Sequence, residues 1–279
     1  WQGDGILSDL SIGDARFSDF AGSSIVHSAG GWAALMGAVF LGPRIGKYGP
    51  DGKPRAIPGH NVGFAVVGVF VLWFGWFGFN AGSELAMDNW VAHCIMTTLL
   101  AGSAGVVGAG AAIWRKTGAM DVGMAGNGAL AGLVSITAGT GTMSFAGSVA
   151  VGFIGGVIVV YSVLFIERRG IDDPVGAVSV HGVCGAWGTL AIGFFARHDD
   201  AFLGRDDAGL FYGGGFDQLL VQAIGVVIVA VWVLGTTAIL FKVLKSTVGL
   251  RVSAEEELAG LDVAEHGSPG YGPEPVLVG

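Results

Sequence analysis

Seven long apolar stretches separated by short polar segments dominate the pattern of hydrophobic and polar positions in this sequence. Each is near the roughly 20 residues that a helix needs to cross the hydrocarbon core of a membrane. The pattern therefore predicts an all-α, polytopic membrane protein, with a polar loop at residues 1–18 and a polar tail. The predicted spans are Ala21–Gly42, Val62–Ser83, Trp90–Trp114, Val122–Ala138, Phe145–Ile166, Val175–Ala196 and Leu219–Phe241.

The composition agrees with a membrane protein and adds a prediction about helix packing. Only 13% of the residues are charged, about half the share in soluble domains. The 51 glycines favour closely packed helices, because small residues let two backbones approach each other. The short fourth span has Gly128 and Gly132 four residues apart, a spacing that suits a tight helix crossing. It is best interpreted as a buried packing helix. Cys94 and Cys184 lie within apolar spans, so neither a disulfide framework nor a thiol site is indicated.

The distribution of positive charge predicts the orientation of the chain. If the seven spans alternate in direction, eleven of the fourteen Lys and Arg residues fall on one side and three on the other. Positive residues accumulate on the cytoplasmic side of membrane proteins. We therefore expect the C-terminal tail in the cytoplasm and residue 1 outside.

A motif that joins an aspartate to a histidine occurs twice. Asp19 and His27 are separated by seven residues at the start of the first span, and Asp173 and His181 by seven at the start of the sixth. The copies also agree at Gly22 and Gly176, Val26 and Val180, Gly31 and Gly185, and Phe40 and Phe194. Ionisable side chains at membrane depth are costly, so two histidines in matched positions indicate a functional site.

The two motif copies lie five spans apart, so their helices must run in opposite directions. Related helices of opposite direction are typical of an inverted repeat, in which they meet near the membrane midplane around a substrate path. We therefore expect His27 and His181 to come together. Two repeats of five helices and a final helix would make eleven, of which the sequence contains seven. Residue 1 is Trp and not Met, and we expect four preceding spans to be missing.

Several sequence blocks make the chain resemble the Amt/MEP/Rh ammonium transporters, in the order of that family and over nearly the whole chain. The resemblance implies an eleven-helix fold in a homotrimer in the plasma membrane, with one pore in each subunit. The blocks span residues 19–27, 41–44 (Leu-Gly-Pro-Arg), 74–83 (Phe-Gly-Trp-Phe-Gly-Phe-Asn-Ala-Gly-Ser), 131–139, 172–185 and 247–251 (Thr-Val-Gly-Leu-Arg).

The resemblance also assigns roles to residues of the pore. His27 and His181 match the paired pore histidines of the family. A neutral imidazole has one donor and one acceptor and titrates near physiological pH, so a bonded pair can relay a proton. Phe79 resembles one of two stacked gate phenylalanines, and Trp76 a pore-lining residue near the histidines.

The same family implies an external site that recruits ammonium. Ser83 matches the recruiting serine, whose hydroxyl can accept a hydrogen bond from the cation, and Trp1 matches an external Trp whose ring attracts cations. Asp19 is expected beside this site, where it either caps a helix or acts electrostatically. Asp173 and Asn80 are expected to be structural.

The chain divides into a transmembrane domain at residues 1–243 and a cytoplasmic tail at 244–279. Ser253 precedes Glu256 at the spacing of a capping box, which predicts a short helix in the tail. In the family this region couples subunits and is recognised by PII signal proteins, so a PII partner is expected.

The favoured function is ammonium transport: the protein recruits NH4+, deprotonates it, and conducts NH3 through an apolar pore while the histidine pair relays the proton. An ammonium sensor with little flux and an Rh-like ammonia gas channel are the alternatives, and the Ser83 hydroxyl argues against the second. No catalytic constellation or metal-ligand spacing is present, so an enzyme, a cofactor and a metal are not predicted. No basic cluster indicates nucleic acid as a partner. The isolated 279 residues are not expected to transport.

Overall fold

A computed structural model describes residues 5–197 and 208–271 and consists mainly of α-helices. Two short helical turns of the π type, at Ser23–Ser28 and Val178–Val183, lead directly into α1 and α6. The α-helices are α1 (Ala29–Leu41), α2 (Val62–Gly82), α3 (Asn89–Thr117), α4 (Val122–Thr137), α5 (Phe145–Arg168), α6 (Cys184–Phe195), α7 (Asp217–Thr247), α8 (Ala254–Ala259) and α9 (Leu261–His266).

Polar side chains fix the start of four of the long helices. The backbone N–H groups of a first helical turn have no partner within the helix, and a side-chain oxygen just before it can accept from them. Asn61 accepts from Phe64 N at the start of α2. Asp88, Asp121 and Ser144 serve α3, α4 and α5 in the same way. These caps explain why the observed helix starts agree closely with the predicted ones.

Glycines hold α3, α4 and α5 together in the most closely packed part of the fold. A Cβ atom at Gly105 of α3 would lie 2.2 Å from the Gly128 carbonyl oxygen of α4, and one at Gly156 of α5 would lie 2.1 Å from the Gly105 carbonyl oxygen. Side chains larger than hydrogen would therefore separate these backbones. The predicted role of the fourth span in helix packing is thus confirmed.

The two motif-bearing elements lie beside this packed group. The first π turn and α1 contact the second π turn, and both α1 and α6 pack against α7. In contrast, α2 and α7 are mostly exposed despite their apolar sequences. Within the described residues, six helical segments are long and apolar enough to cross a membrane, and α4 has only 16 residues.

Two local features differ from the expected ones, and a third agrees with its prediction. The polar loop contains a small hairpin of β1 (Ser11–Ile12) and β2 (Ala15–Arg16), because Gly13 adopts a left-handed φ of 58° that suits the turn. The last long helix begins at Asp217 and ends at Thr247, so the boundary expected at residues 243 and 244 falls within it. The tail helix α8 has the capping box that its sequence predicts.

Candidate functional site

The two motif histidines contact each other. The Nδ1 atoms of His27 and His181 are 3.3 Å apart, and the rings are stacked with centroids 5.3 Å apart and planes inclined by 24°. His27 is 8% exposed. The expected approach of the two histidines is therefore present, although they belong to elements 154 positions apart in sequence.

Aromatic rings of α2 cover the other sides of His27. The Trp76 indole stacks on the His27 ring at 4.8 Å and 18°, and the Phe79 ring lies at 5.4 Å. Trp76 is 6% exposed, whereas Phe79 is 40% exposed. Phe79 thus lies at the open side of the histidine pair, and Trp76 forms a wall beside it.

Two polar contacts fix this face of α2. The Trp76 Nε1–H group donates to Thr137 Oγ1 at 3.0 Å, and Asn80 Nδ2 donates to Thr98 Oγ1 at 2.9 Å. Asn80 is fully buried. These contacts join α2 to α4 and α3.

Ser83 lies at the end of α2, one turn beyond Phe79 in the direction away from Trp76. Its hydroxyl donates to the Phe79 carbonyl oxygen at 2.9 Å. The order Ser83, Phe79, His27 and His181 therefore leads from the helix end towards the buried pair. Trp1, the other predicted recruiting residue, lies outside the described residues.

Asp19 is 7% exposed and faces the first turn of the π helix. One carboxylate oxygen accepts from Ser23 N at 2.7 Å; the other accepts from Ser24 N at 2.9 Å, Ser24 Oγ at 2.6 Å and Ile25 N at 3.1 Å. Four donors thus surround this carboxylate. Its contacts are those of a cap and leave it little capacity as a direct ligand.

Asp173 has the equivalent position in the second copy but lacks a side-chain donor among the described residues. Its carboxylate accepts from Ala177 N at 2.9 Å and from Val178 N at 2.8 Å. The second copy has Ala177 and Val178 where the first has Ser23 and Ser24, so it lacks the hydroxyl contact. Both aspartates cap the turns that contain the histidines.

Asp172, which precedes Asp173, anchors this second motif to the loop after α1. The Arg44 guanidinium forms a bidentate ion pair with its carboxylate at 2.8 and 2.9 Å, and Arg44 N also donates to it. Hydrogen bonding to the guanidinium is the main reason that the pKa of Asp172 is below its usual value.

Two features of the site were missed by the sequence analysis. Both histidines lie in π turns, a geometry that is rare and frequent at functional sites. In addition, Ser28 Oγ donates to the Gly182 carbonyl oxygen at 2.8 Å. Ser28 and Gly182 directly follow the two histidines. A search for identical residues in the two motif copies does not reveal this pair, because the residues differ.

Comparison with known proteins adds three kinds of finding. The family model described as the Ammonium Transporter Family matches residues 1–271. Ammonium transporter Amt2 of Archaeoglobus fulgidus is 49% identical over 258 residues, which are 91% of this chain and 55% of that relative. Ammonium transporter 1 member 2 of Oryza sativa subsp. japonica is 37% identical over 97% of this chain and 59% of its own length.

Solved structures of similar proteins agree. A structure described as a sensor Amt protein superimposes with a TM-score of 0.85 at 40% identity, covering 95% of this chain and 63% of its own. Mep2 of Candida albicans superimposes with a TM-score of 0.80 at 32% identity, covering 92% of this chain and 56% of its own. The chain thus spans little more than half the length of most of these proteins.

Proposed function

Because this chain belongs to the Ammonium Transporter Family of multi-pass membrane proteins, which are transporters and not enzymes, we propose that it carries the central part of an ammonium pathway. The contact between His27 and His181 at 3.3 Å is the observation that carries the proposal. A buried pair of imidazoles has no evident packing advantage over apolar side chains, and burial of polar rings is costly. Their retention in contact favours a chemical role.

The proposed pathway begins outside the cell at Ser83. Its hydroxyl oxygen accepts a hydrogen bond from NH4+, and the faces of the Trp1 and Phe79 rings attract the positive charge. Asp19 contributes chiefly by capping the turn that holds His27, as its four donors indicate. Phe79 separates this recruitment site from the histidine pair and is the gate residue that the chain supplies.

The histidine pair performs the proton relay. A histidine nitrogen with a lone pair accepts a proton from NH4+, which leaves neutral NH3. The protonated imidazole passes a proton to the second imidazole through the Nδ1 contact. The second imidazole then releases a proton from its other ring nitrogen towards the cytoplasmic side, which leaves both rings neutral. NH3 then passes along the apolar wall beside Trp76, where an ion would be far less stable.

A sensor that binds ammonium with little flux is the second candidate function. It is favoured by the similarity to the structure described as a sensor Amt protein. The same recruitment site and histidine pair would then serve binding, and the tail would transmit the signal. The Rh-like gas channel is less well supported, because Ser83 supplies a hydroxyl at the site where a cation would bind.

We also propose an assembly and an orientation. The exposed apolar surfaces of α2 and α7 suit contact with lipid and with other subunits of a homotrimer. The charge asymmetry favours a cytoplasmic tail, and the exposed helices α8 and α9 offer a docking site for a PII signal protein.

Transport and sensing are distinguished in liposomes that contain the protein expressed from its complete coding sequence. An ammonium gradient should evoke a current that empty liposomes lack. Saturable ammonium binding in the absence of any flux would exclude the transporter and favour the sensor.

A further inference from the structure

Ser28 and Gly182 form a hydrogen bond between equivalent positions of the two motif copies. Each residue directly follows a histidine, and both pairs are separated by 154 positions, which is also the offset of the two copies. Ser28 Oγ donates to the Gly182 carbonyl oxygen at 2.8 Å, and Ser28 is 1% exposed. The bond therefore joins the two histidine-bearing turns beside their point of contact.

The backbones around this bond are in close contact. A Cβ atom at Gly31 would lie 2.0 Å from Gly182 N, and one at Gly185 would lie 2.8 Å from Ser28 Oγ. Gly31 and Gly185 are themselves equivalent positions of the two copies. Each copy thus presents a glycine to the other copy's turn, so the two backbones approach each other closely.

A matching serine in the second copy would be crowded. A Cβ atom at Gly182 would lie 3.2 Å from two ring atoms of Trp32, which is closer than side chains normally pack. The hydroxyl is therefore supplied by one copy alone, and the carbonyl of the other copy accepts it. This asymmetry gives the contact a single donor and a single acceptor.

We propose that Ser28 is a positioning residue that sets the separation of His27 and His181 by tying the two turns together. The proposal rests on the proposed function, because it matters only if the two imidazoles exchange a proton. Direct bonds between the two turns, unlike helix caps, act on the distance between the copies. Proton transfer falls off steeply with that distance, and small displacements of reacting groups reduce rates strongly.

The experiment measures ammonium-evoked current in liposomes for the complete protein and for Ser28→Ala. We expect roughly a tenfold loss of current, together with a displaced pH profile of the current. Ser135→Ala is the matched control, because Ser135 is also fully buried but donates to Ala131 O within its own helix. Its current and pH profile should equal those of the unaltered protein.

The outcomes separate this proposal from the proposed function. If the double variant His27→Leu, His181→Leu loses the current but Ser28→Ala keeps the current of the unaltered protein, the role of Ser28 is rejected and the relay is not. If the double variant keeps its current, the proposed proton relay is itself rejected. If Ser28→Ala does not fold, Ser28→Cys retains a side chain of similar shape with a weak donor, and it should show a smaller loss and a smaller displacement of the pH profile in the same direction. A profile equal to that of the unaltered protein would reject the proposal.

Discussion

At the residue scale, the two aspartates occupy equivalent positions of the two copies but differ in the groups that donate hydrogen bonds to them. Asp19 accepts from three backbone N–H groups and the Ser24 hydroxyl. Asp173 accepts from backbone N–H groups, including those of Ala177 and Val178, and from no hydroxyl among the described residues. Hydrogen bonds to a charged acceptor contribute more than those to a neutral one, so the first carboxylate should contribute more to the stability of its turn.

Replacement by asparagine tests this difference. Asn keeps the shape but loses the charge and turns an NH2 group towards the donors, so Asp19→Asn should cost about 1–3 kcal/mol. Asp173→Asn is the matched control and should cost less. Thermal unfolding of the two purified variants measures the comparison. Equal losses, or a greater loss for Asp173→Asn, would show that the Ser24 hydroxyl contact is unimportant.

Recruitment at Ser83 makes a second prediction at this scale. Loss of the hydroxyl removes an acceptor for the bound cation, so Ser83→Ala should raise the KM for ammonium roughly tenfold while the maximal flux changes little. Ser246→Ala is the control, since its exposed hydroxyl also donates to a carbonyl of the preceding turn. An unchanged KM in Ser83→Ala would exclude the hydroxyl from recruitment.

Sequence analysis predicted the aspartates from their types and spacing and Ser83 from the family resemblance, and it missed residues whose role depends on three-dimensional contact. The repeated aspartate and histidine are recognisable because burial of an ionisable group is rare. Ser28 is a small residue in a span with several others, and nothing in its spacing indicates that a carbonyl 154 positions away is its partner.

At the scale of elements, the tail helix α8 also has one feature that the sequence predicted and one that it did not. Its capping box involves Ser253 and Glu256, three residues apart, and was predicted. Its attachment was not: Glu257 accepts from Ile45 N at 2.8 Å and pairs with Arg251 at 2.7 Å. Local hydrogen bonds follow from sequence spacing, whereas this contact between the tail and the loop after α1 depends on the fold of the whole chain.

Removal of the Glu257 carboxylate should release the tail helix. In Glu257→Ala the loop amide and Arg251 lose their acceptor, so backbone hydrogen exchange at residues 254–259 should become several-fold faster. Glu255→Ala is the control, because Glu255 lies on the same helix and takes no part in these contacts. Equal exchange in both variants would contradict the proposed attachment.

The ion pair of Arg44 and Asp172 predicts a dependence of stability on pH. The pKa of Asp172 is lowered in the folded protein, chiefly by the Arg44 guanidinium. Its contribution is therefore fully present above the unfolded pKa of roughly 4 and is lost as the pH falls through the lower folded value.

The Asp172→Asn variant tests this dependence because it has no titrating carboxyl group at position 172. Melting temperatures of both proteins are compared from neutral to acidic pH. The difference between them should be constant above the unfolded pKa and should shrink as the pH falls below it. A difference that is independent of pH throughout this range would contradict the role of the ionised pair.

At the scale of the whole molecule, the apolar pattern predicted the helices well, because a membrane requires long apolar segments and backbone groups bonded within them. The observed bounds of α2 and α5 differ from the predicted spans by at most a few residues. The π turns and the close contact of the two copies could not be predicted from the apolar pattern, since both arise from packing between distant segments. The juxtaposition of the histidines followed only from the duplicated motif and its reversed direction.

The measurement that tests the central claim most directly is ammonium-evoked current in liposomes that contain the complete protein with His27 and His181 both replaced by leucine. We expect the current to be lost, because the apolar pair retains the packing but has no nitrogen to accept or pass a proton. His93→Leu is the control, since His93 bonds to the Met143 carbonyl oxygen instead of to a second histidine, and it should retain the current. A double variant with undiminished current would show that the histidine pair is not the proton relay.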